Sequence, residues 1–255
     1  MPDNLDRLLG IMQTLRDPES GCEWDRAQTF DTIVPHTIEE AYEVADAVAR
    51  GDVSDIRDEL GDLLFQVVFQ ARIAEEAGLF DFDSVAGAIA DKLVQRHPHI
   101  FGSETLPGGM REERWEALKA AEREAKGASS ALDGVALALP ALMRAEKLQK
   151  RAARVGFDWP DPRGPAAKVL EEMRELEHAH ANERAEEAGD LLFAAVNLVR
   201  AYGVPAEEAL RAANAKFERR FRAMEARAQG PFAALTLDQQ EQLWQDVKAA
   251  EKPRG

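Results

Sequence analysis

An all-α fold built as a tandem duplication of a small helical bundle is predicted for the chain, on three observations. Apolar residues recur with helical period, as in Leu5, Leu8, Met12 and Leu15 and again in Leu63, Val67 and Ala71. Ala, Leu, Glu, Arg and Lys dominate, while Val-Ile-Thr runs bounded by turn residues are nearly absent. Segments of the first half return in the same order in the second. At 255 residues the chain is long enough for one large domain or two small ones. Its 32 Lys and Arg against 47 Asp and Glu leave a net charge of −15, which argues against a phosphate-backbone binder and hence against nucleic acid as a partner. A single cysteine, Cys22, precludes an intramolecular disulfide and suits a reducing compartment. The opening MPDNLDRLLG lacks a signal pattern, and nowhere do 18 apolar residues stand together, so no membrane association and a cytoplasmic location are expected.

Taken in order, the first helical pattern, Leu5 to Leu15, stops at the turn signal Asp17-Pro18-Glu19-Ser20-Gly21 and is followed by Gly21-Cys22-Glu23-Trp24-Asp25. Glu39-Glu40-Ala41-Tyr42-Glu43 precedes Gly61-Asp62-Leu63-Leu64-Phe65, after which come Lys92 and Arg96, a break from Gly102 to Gly109 containing Pro107, and Trp115 to Glu122. Lys126 to Pro140 is the best boundary, giving domains 1–127 and 128–255. The second half repeats the series: Gly156-Phe157-Asp158-Trp159, a break through Pro165, Glu171-Glu172-Met173-Arg174-Glu175, Gly189-Asp190-Leu191-Leu192-Phe193, Lys216 with Arg220, and Trp244 to Glu251.

The repeated acids carry the chemistry. Glu172 and Glu175 lie three apart on one predicted helix, Glu187 and Asp190 three apart on the next, and the connection from Ala179 to Arg184 is short enough for an antiparallel hairpin to bring the pairs together. Two like charges ~6 Å apart at an effective dielectric near 20 repel by roughly 3 kcal/mol, so a positive ion is expected among them. Oxygen-only donors without Cys or a repeated His suit Mg²⁺ or Mn²⁺ rather than zinc or copper. Glu-Glu-x-x-Glu is common on solvated helices. Asp62 and Asp190, however, open apolar Leu-Leu-Phe runs where an unpaired carboxylate would be costly, each after a glycine that permits close approach.

Lys216 and Arg220, with Asn214 just upstream, would complement a polyphosphate beside such a cluster, although taken alone they read as a charged face paired with Glu218. Trp244 suits a core or docking position, with base stacking as its other use. Glu175-Leu176-Glu177-His178 has the Glu-x-x-His spacing of di-iron bundles, but the first half offers Glu43-Val44-Ala45-Asp46 instead, so His178 is expected to face solvent. His97 and His99 flank Pro98 and are expected in an exposed turn. Neither glycine-rich phosphate loop is present.

The series Glu-Glu-x-x-Glu, Glu-x-x-Asp and Asn-x-Lys-x-x-x-Arg resembles the MazG-type nucleoside triphosphate pyrophosphohydrolases of the all-α NTP pyrophosphatase superfamily. The tandem arrangement, Leu15-Arg16-Asp17-Pro18 through Asp25, and Arg96-His97-Pro98-His99-Ile100-Phe101 resemble the two-domain members, and the match covers nearly the whole chain. The resemblance implies a helical bundle that dimerises, Mg²⁺ held by carboxylates, and cleavage of an NTP or dNTP between the α and β phosphates to NMP and pyrophosphate. It implies Glu172, Glu175, Glu187 and Asp190 as metal ligands, and Lys168, Glu171, Glu186, Lys216, Arg220 and Trp244 as the nucleotide-binding set. A metal-activated water would attack phosphorus, with Glu171, Glu172 or Glu175 orienting it or taking its proton. The first half keeps a second acidic set, Glu40, Glu43, Glu59 and Asp62, but His36 stands for Lys168 and Ala90 for Asn214, so the second half is expected to be catalytic. The rival readings are a non-enzymatic helical scaffold docking basic partners, a di-metal oxidase, and a dUTP- or dCTP-specific pyrophosphatase.

Overall fold

The computed structural model describes residues 4–102, 112–125 and 127–251. Most of the predicted break from Gly102 to Gly109, and Lys126 at the head of the next, lie outside the described residues. Every regular element among the described residues is helical, and none of these helices is long and apolar enough to cross a membrane. Two compact units, Met1–Leu118 and Lys119–Gly255, divide the chain.

The first unit contains α1 (Asn4–Leu15), α2 (Glu23–Ala27), α3 (Phe30–Arg50), α4 (Val53–Glu76), α5 (Phe82–Arg96) and α6 (Pro98–Phe101), and takes the first turns of α7 (Glu112–Ala125). The long pair α3 and α4 forms its body. Thr29 caps α3 through a reciprocal bond with Thr32, and Asp52 and Asp81 cap α4 and α5 by accepting backbone N–H bonds. Gly51, at φ +73°, makes the left-handed turn that ends α3 and lets α4 fold back. Met12, Ile33, Val68, Phe69 and Ile73 form the core, with Leu8, Leu9, Phe30, Phe65 and Phe82 packed around it. Leu63, Val67 and Ala71 share a face of α4 as their spacing predicts, but Val67 is exposed and burial extends to Gln66, Val68, Phe69, Ile73 and Ala74, because neighbours cover more than one face of this stretch. Arg16 is buried at the edge of this core, donating to Glu76 and to the carbonyls of Asp25 and Gln28.

The second unit contains α8 (Ala141–Arg154), α9 (Arg163–His178), α10 (Arg184–Ala201), α11 (Ala206–Arg227), a 3₁₀ turn (Phe232–Ala234) and α12 (Leu237–Glu251). The hairpin α9–α10 is its body, joined by residues 179–183 as the short connection predicts. Glu146 on α8 accepts the Ala206 backbone N–H and so caps α11, whose flanking Pro205 has no side-chain cap to offer. Two local expectations are revised. Gly164 and Pro165 belong to the first turn of α9 rather than to the preceding break, since proline is tolerated where no intrahelical N–H bond is required. Pro98 ends α5 but starts α6, and His97 and His99 are half-buried rather than exposed, His97 Nδ1 lying 2.7 Å from the Leu93 carbonyl.

Candidate metal centre

The second-unit acids converge. Glu172, on the inner face of α9, is 4% exposed and has one carboxylate oxygen within 4.8 Å of ligand atoms of Glu187 and Asp190 on α10. A second triad on α9, Glu171, Glu172 and Glu175, meets the same limit, so Glu172 belongs to both. The four predicted ligands therefore form two overlapping groups, Glu175 joining through Glu172. Burial, reinforced by the Glu172 charge and then by Asp190, pushes the Glu187 carboxyl up; burial and the hydrogen bond to Glu172 push up Glu175. Lys168 Nζ lies 2.6 Å from oxygens of both Glu171 and Glu172, and these bonds, Glu171 first, hold its ammonium charged. One ammonium cannot neutralise this many carboxylates, and an oxygen-only donor set with atoms this close fits a hard divalent cation.

Two expectations about the aspartates are corrected. Asp62 and Asp190 are exposed, so the desolvation cost falls on Glu172 instead. At Gly61 and Gly189 an added Cβ would meet nothing within 4 Å, so neither glycine serves a close approach within its unit.

Of the predicted nucleotide set, Lys168 and Glu171 sit at the cluster, and exposed Glu186 adds its charge beside Glu187. Arg220 and Trp244 meet on α11 and α12, apart from the acids, and Lys216 lies on α11 one turn before Arg220. Arg220 pairs with Glu251 at 2.7 Å and lies 5.4 Å above the Trp244 ring, which in turn packs on Phe217. Lys216 is exposed, and Glu218 pairs with Arg222 instead of with the cations expected for it. Among the described residues, Arg220 and Trp244 make no hydrogen bond, ion pair or ring contact with any of the four predicted metal ligands. His178 is exposed, as expected.

A cavity of about 580 Å³ opens beside the cluster. Lys168, Glu172 and Asp190 line it, together with Phe157, Trp159 and Phe193. Polar residues that the sequence did not single out line it too: Gln149, Asn197 and Arg200. Arg200 is held by a bidentate bond to Asp158 at 2.6 and 3.0 Å, which depresses the Asp158 carboxyl.

The first unit brings Glu40, Glu59 and Asp62 within the same 4.8 Å limit, while Glu43 acts on Glu40 and Glu59 as a neighbouring charge. Burial first, and like charges next, raise Glu40 and Glu59. Phe69, at the repeat position answering to Asn197, is fully buried, with Trp24 edge-on at 6.5 Å and the Arg16 guanidinium 5.3 Å from its centroid. His36, in place of Lys168, packs against Trp24.

Residues 28–101 match the model of the MazG nucleotide pyrophosphohydrolase domain. The chain is 51% identical over 259 aligned residues to the "Nucleoside triphosphate pyrophosphohydrolase" of Escherichia coli (strain K12), covering 98% of each chain. It is 41% identical over 251 to the "Nucleoside triphosphate pyrophosphohydrolase/pyrophosphatase MazG" of Thermotoga maritima, covering 97% of this chain and 96% of that one.

Proposed function

The chain belongs to the MazG nucleoside triphosphate pyrophosphohydrolase family, and from that premise we propose that it hydrolyses nucleoside triphosphates to NMP and pyrophosphate with Mg²⁺ held by its second unit. The observation that carries this is the Glu172-centred cluster, a buried carboxylate shared by two triads and opening on a cavity of nucleotide size. Glu172, Glu175, Glu187 and Asp190 are the residues that would hold the cation. When bound, Mg²⁺ would offset charge on the phosphate oxygens and polarise the phosphorus toward attack.

The protein's own groups supply the rest. Lys168, bridging Glu171 and Glu172, fixes the rotamers of both and presents a cation at the cavity wall. Glu171 and Glu172 are engaged by that ammonium, whereas Glu175 has no ion pair among the described residues. Glu171, Glu172 or Glu175 would orient the attacking water or take its proton. Phe69 in place of Asn197, and His36 in place of Lys168, support a metal-binding but non-hydrolytic role for the first unit. Leu170, Met173 and Leu192 expose more than half of their surface along α9 and α10, which supports burial of that face in a homodimer.

The test is pyrophosphate release from a panel of NTPs and dNTPs. Activity should require Mg²⁺ or Mn²⁺ and cease with EDTA; Glu172→Ala should abolish it and Glu40→Ala should reduce it little. Equal loss in both variants would refute the division between units, and activity surviving EDTA would refute the metal role.

A further inference from the structure

The first-unit acids lack the compensation found in the second unit. Lys168 bonds both Glu171 and Glu172, but His36, which stands in its place, lies 3.6 Å from Glu39. Among the described residues no cationic side chain pairs with Glu40, Glu59 or Asp62, although their ligand atoms lie within 4.8 Å of one another.

A second observation comes from outside that triad. Gln66 is 5% exposed, and its Oε1 is buried without a hydrogen-bond partner. It follows Asp62 by four residues and Glu59 by seven, so the three share one face of α4. Long side chains on a helix lean toward its N-terminus, which directs the Gln66 amide back over the turn that bears Asp62. The repeat places it independently: with Asp62 answering to Asp190, Gln66 answers to Ala194, and Ala194 lines the second-unit cavity together with Glu172 and Asp190. A buried acceptor left unpaired is costly, so a donor is due at this position. Mg²⁺ keeps several waters when carboxylates bind it, and a water on a dication is a strong donor.

Resting on the metal-binding role proposed above for the first unit, we infer that Gln66 is a positioning residue of that centre. Glu40, Glu59 and Asp62 would hold the divalent cation, and Gln66 Oε1 would accept a hydrogen bond from one of its waters. Ala194 offers the second unit no such acceptor, so the corresponding water there is free to give way to a phosphate oxygen. One acidic motif thereby makes a closed centre in the first unit and an open one in the second.

The experiment is titration of the whole chain with Mn²⁺, following the paramagnetic resonance of the free ion, in a Glu172→Gln/Glu187→Gln background that dismantles both second-unit triads. That parent should bind one Mn²⁺ per chain, and adding Glu40→Gln should abolish binding. Adding Gln66→Leu instead, which keeps the volume and removes the acceptor, should weaken binding about tenfold. Calorimetric melting separates this from a merely structural role. In EDTA the Gln66→Leu protein should melt no lower than its parent, because an unpaired acceptor has gone, whereas in Mn²⁺ it should melt lower. Mn²⁺ affinity unchanged by Gln66→Leu, or a lower midpoint already in EDTA, would overturn the role of Gln66 and leave the first-unit centre standing. A parent that binds no Mn²⁺, or binding that survives Glu40→Gln, would overturn the first-unit metal role and this inference with it, while pyrophosphate release by the unmodified chain tests the hydrolase reading separately.

Discussion

Replacing Glu172 with glutamine should stabilise the cation-free protein while destroying its activity. Carboxylate atoms of Glu171, Glu175, Glu187 and Asp190 lie within 4.8 Å of those of Glu172, against one ammonium at 2.6 Å. Most of these neighbours are exposed, so the dielectric of water is the conservative choice, and at ~5 Å each like charge then costs of the order of 1 kcal/mol. Four such terms exceed the single attraction, leaving Glu172 about 2 kcal/mol unfavourable in the absence of metal. Glutamine removes that charge without stranding Lys168, which keeps its 2.6 Å bond to Glu171. In EDTA at pH 8, thermal unfolding of the second unit should move up by about 5 °C. In Mg²⁺ the order should reverse, because the wild type gains ligand-linked stability that the variant has lost. Calorimetric scans in the two buffers read both signs. A lower midpoint for Glu172→Gln in EDTA would refute the reasoning, since the Lys168 pair would then outweigh the crowded acids.

Burial opposes ionisation of Glu76, but hydrogen bonds from Arg16 and Arg72 outweigh it and hold the carboxyl below its usual range. A depressed folded value means stability that is present above the unfolded pKa and lost as pH falls through the folded one. Arg16→Met should therefore flatten the acid limb of first-unit stability below about pH 4.5 and lower the midpoint at pH 7 by an amount equivalent to roughly 2–4 kcal/mol, read by circular dichroism from pH 7 to 3. An unchanged acid limb would refute the assignment. An added Cβ at Gly164 would collide with the Trp159 indole, so Gly164→Ala should displace that ring: its emission, taken as a difference from Trp159→Phe, should shift to the red with little change in melting temperature, because the ring is already 45% exposed. An emission maximum that stays put would show that the contact gives way elsewhere.

The acid-bearing hairpin was legible in the sequence because its cause is local. Three-residue spacing fixes each pair on a helix face, and a connection too short for anything but a turn brings the faces together. Which acid would be buried was not legible: the apolar run after Asp190 suggests burial, yet that aspartate stays exposed and the buried position goes to Glu172 on the facing helix. Gln149 and Asn197 are not marked by the repeat, Asn197 being answered by Phe69 rather than by a second asparagine, and the recurring Arg72 and Arg200 read in the sequence as an ordinary charged helix position. A signal was available in Asn197, a lone amide within the apolar stretch Ala194 to Val199, with Arg72 and Arg200 recurring three residues beyond. Gln149 offered none, since its position in the cavity depends on how α8 packs on α10, a contact between segments remote in sequence.

The hairpin α9–α10 closes over residues 179–183 alone, which places it among the earliest structures the chain can form as it folds. Its carboxylates are brought together by a local turn, so their repulsion opposes formation of the hairpin itself. Divalent ions in the surrounding solution would accordingly govern how fast this half of the molecule is made, and not only what it does once complete.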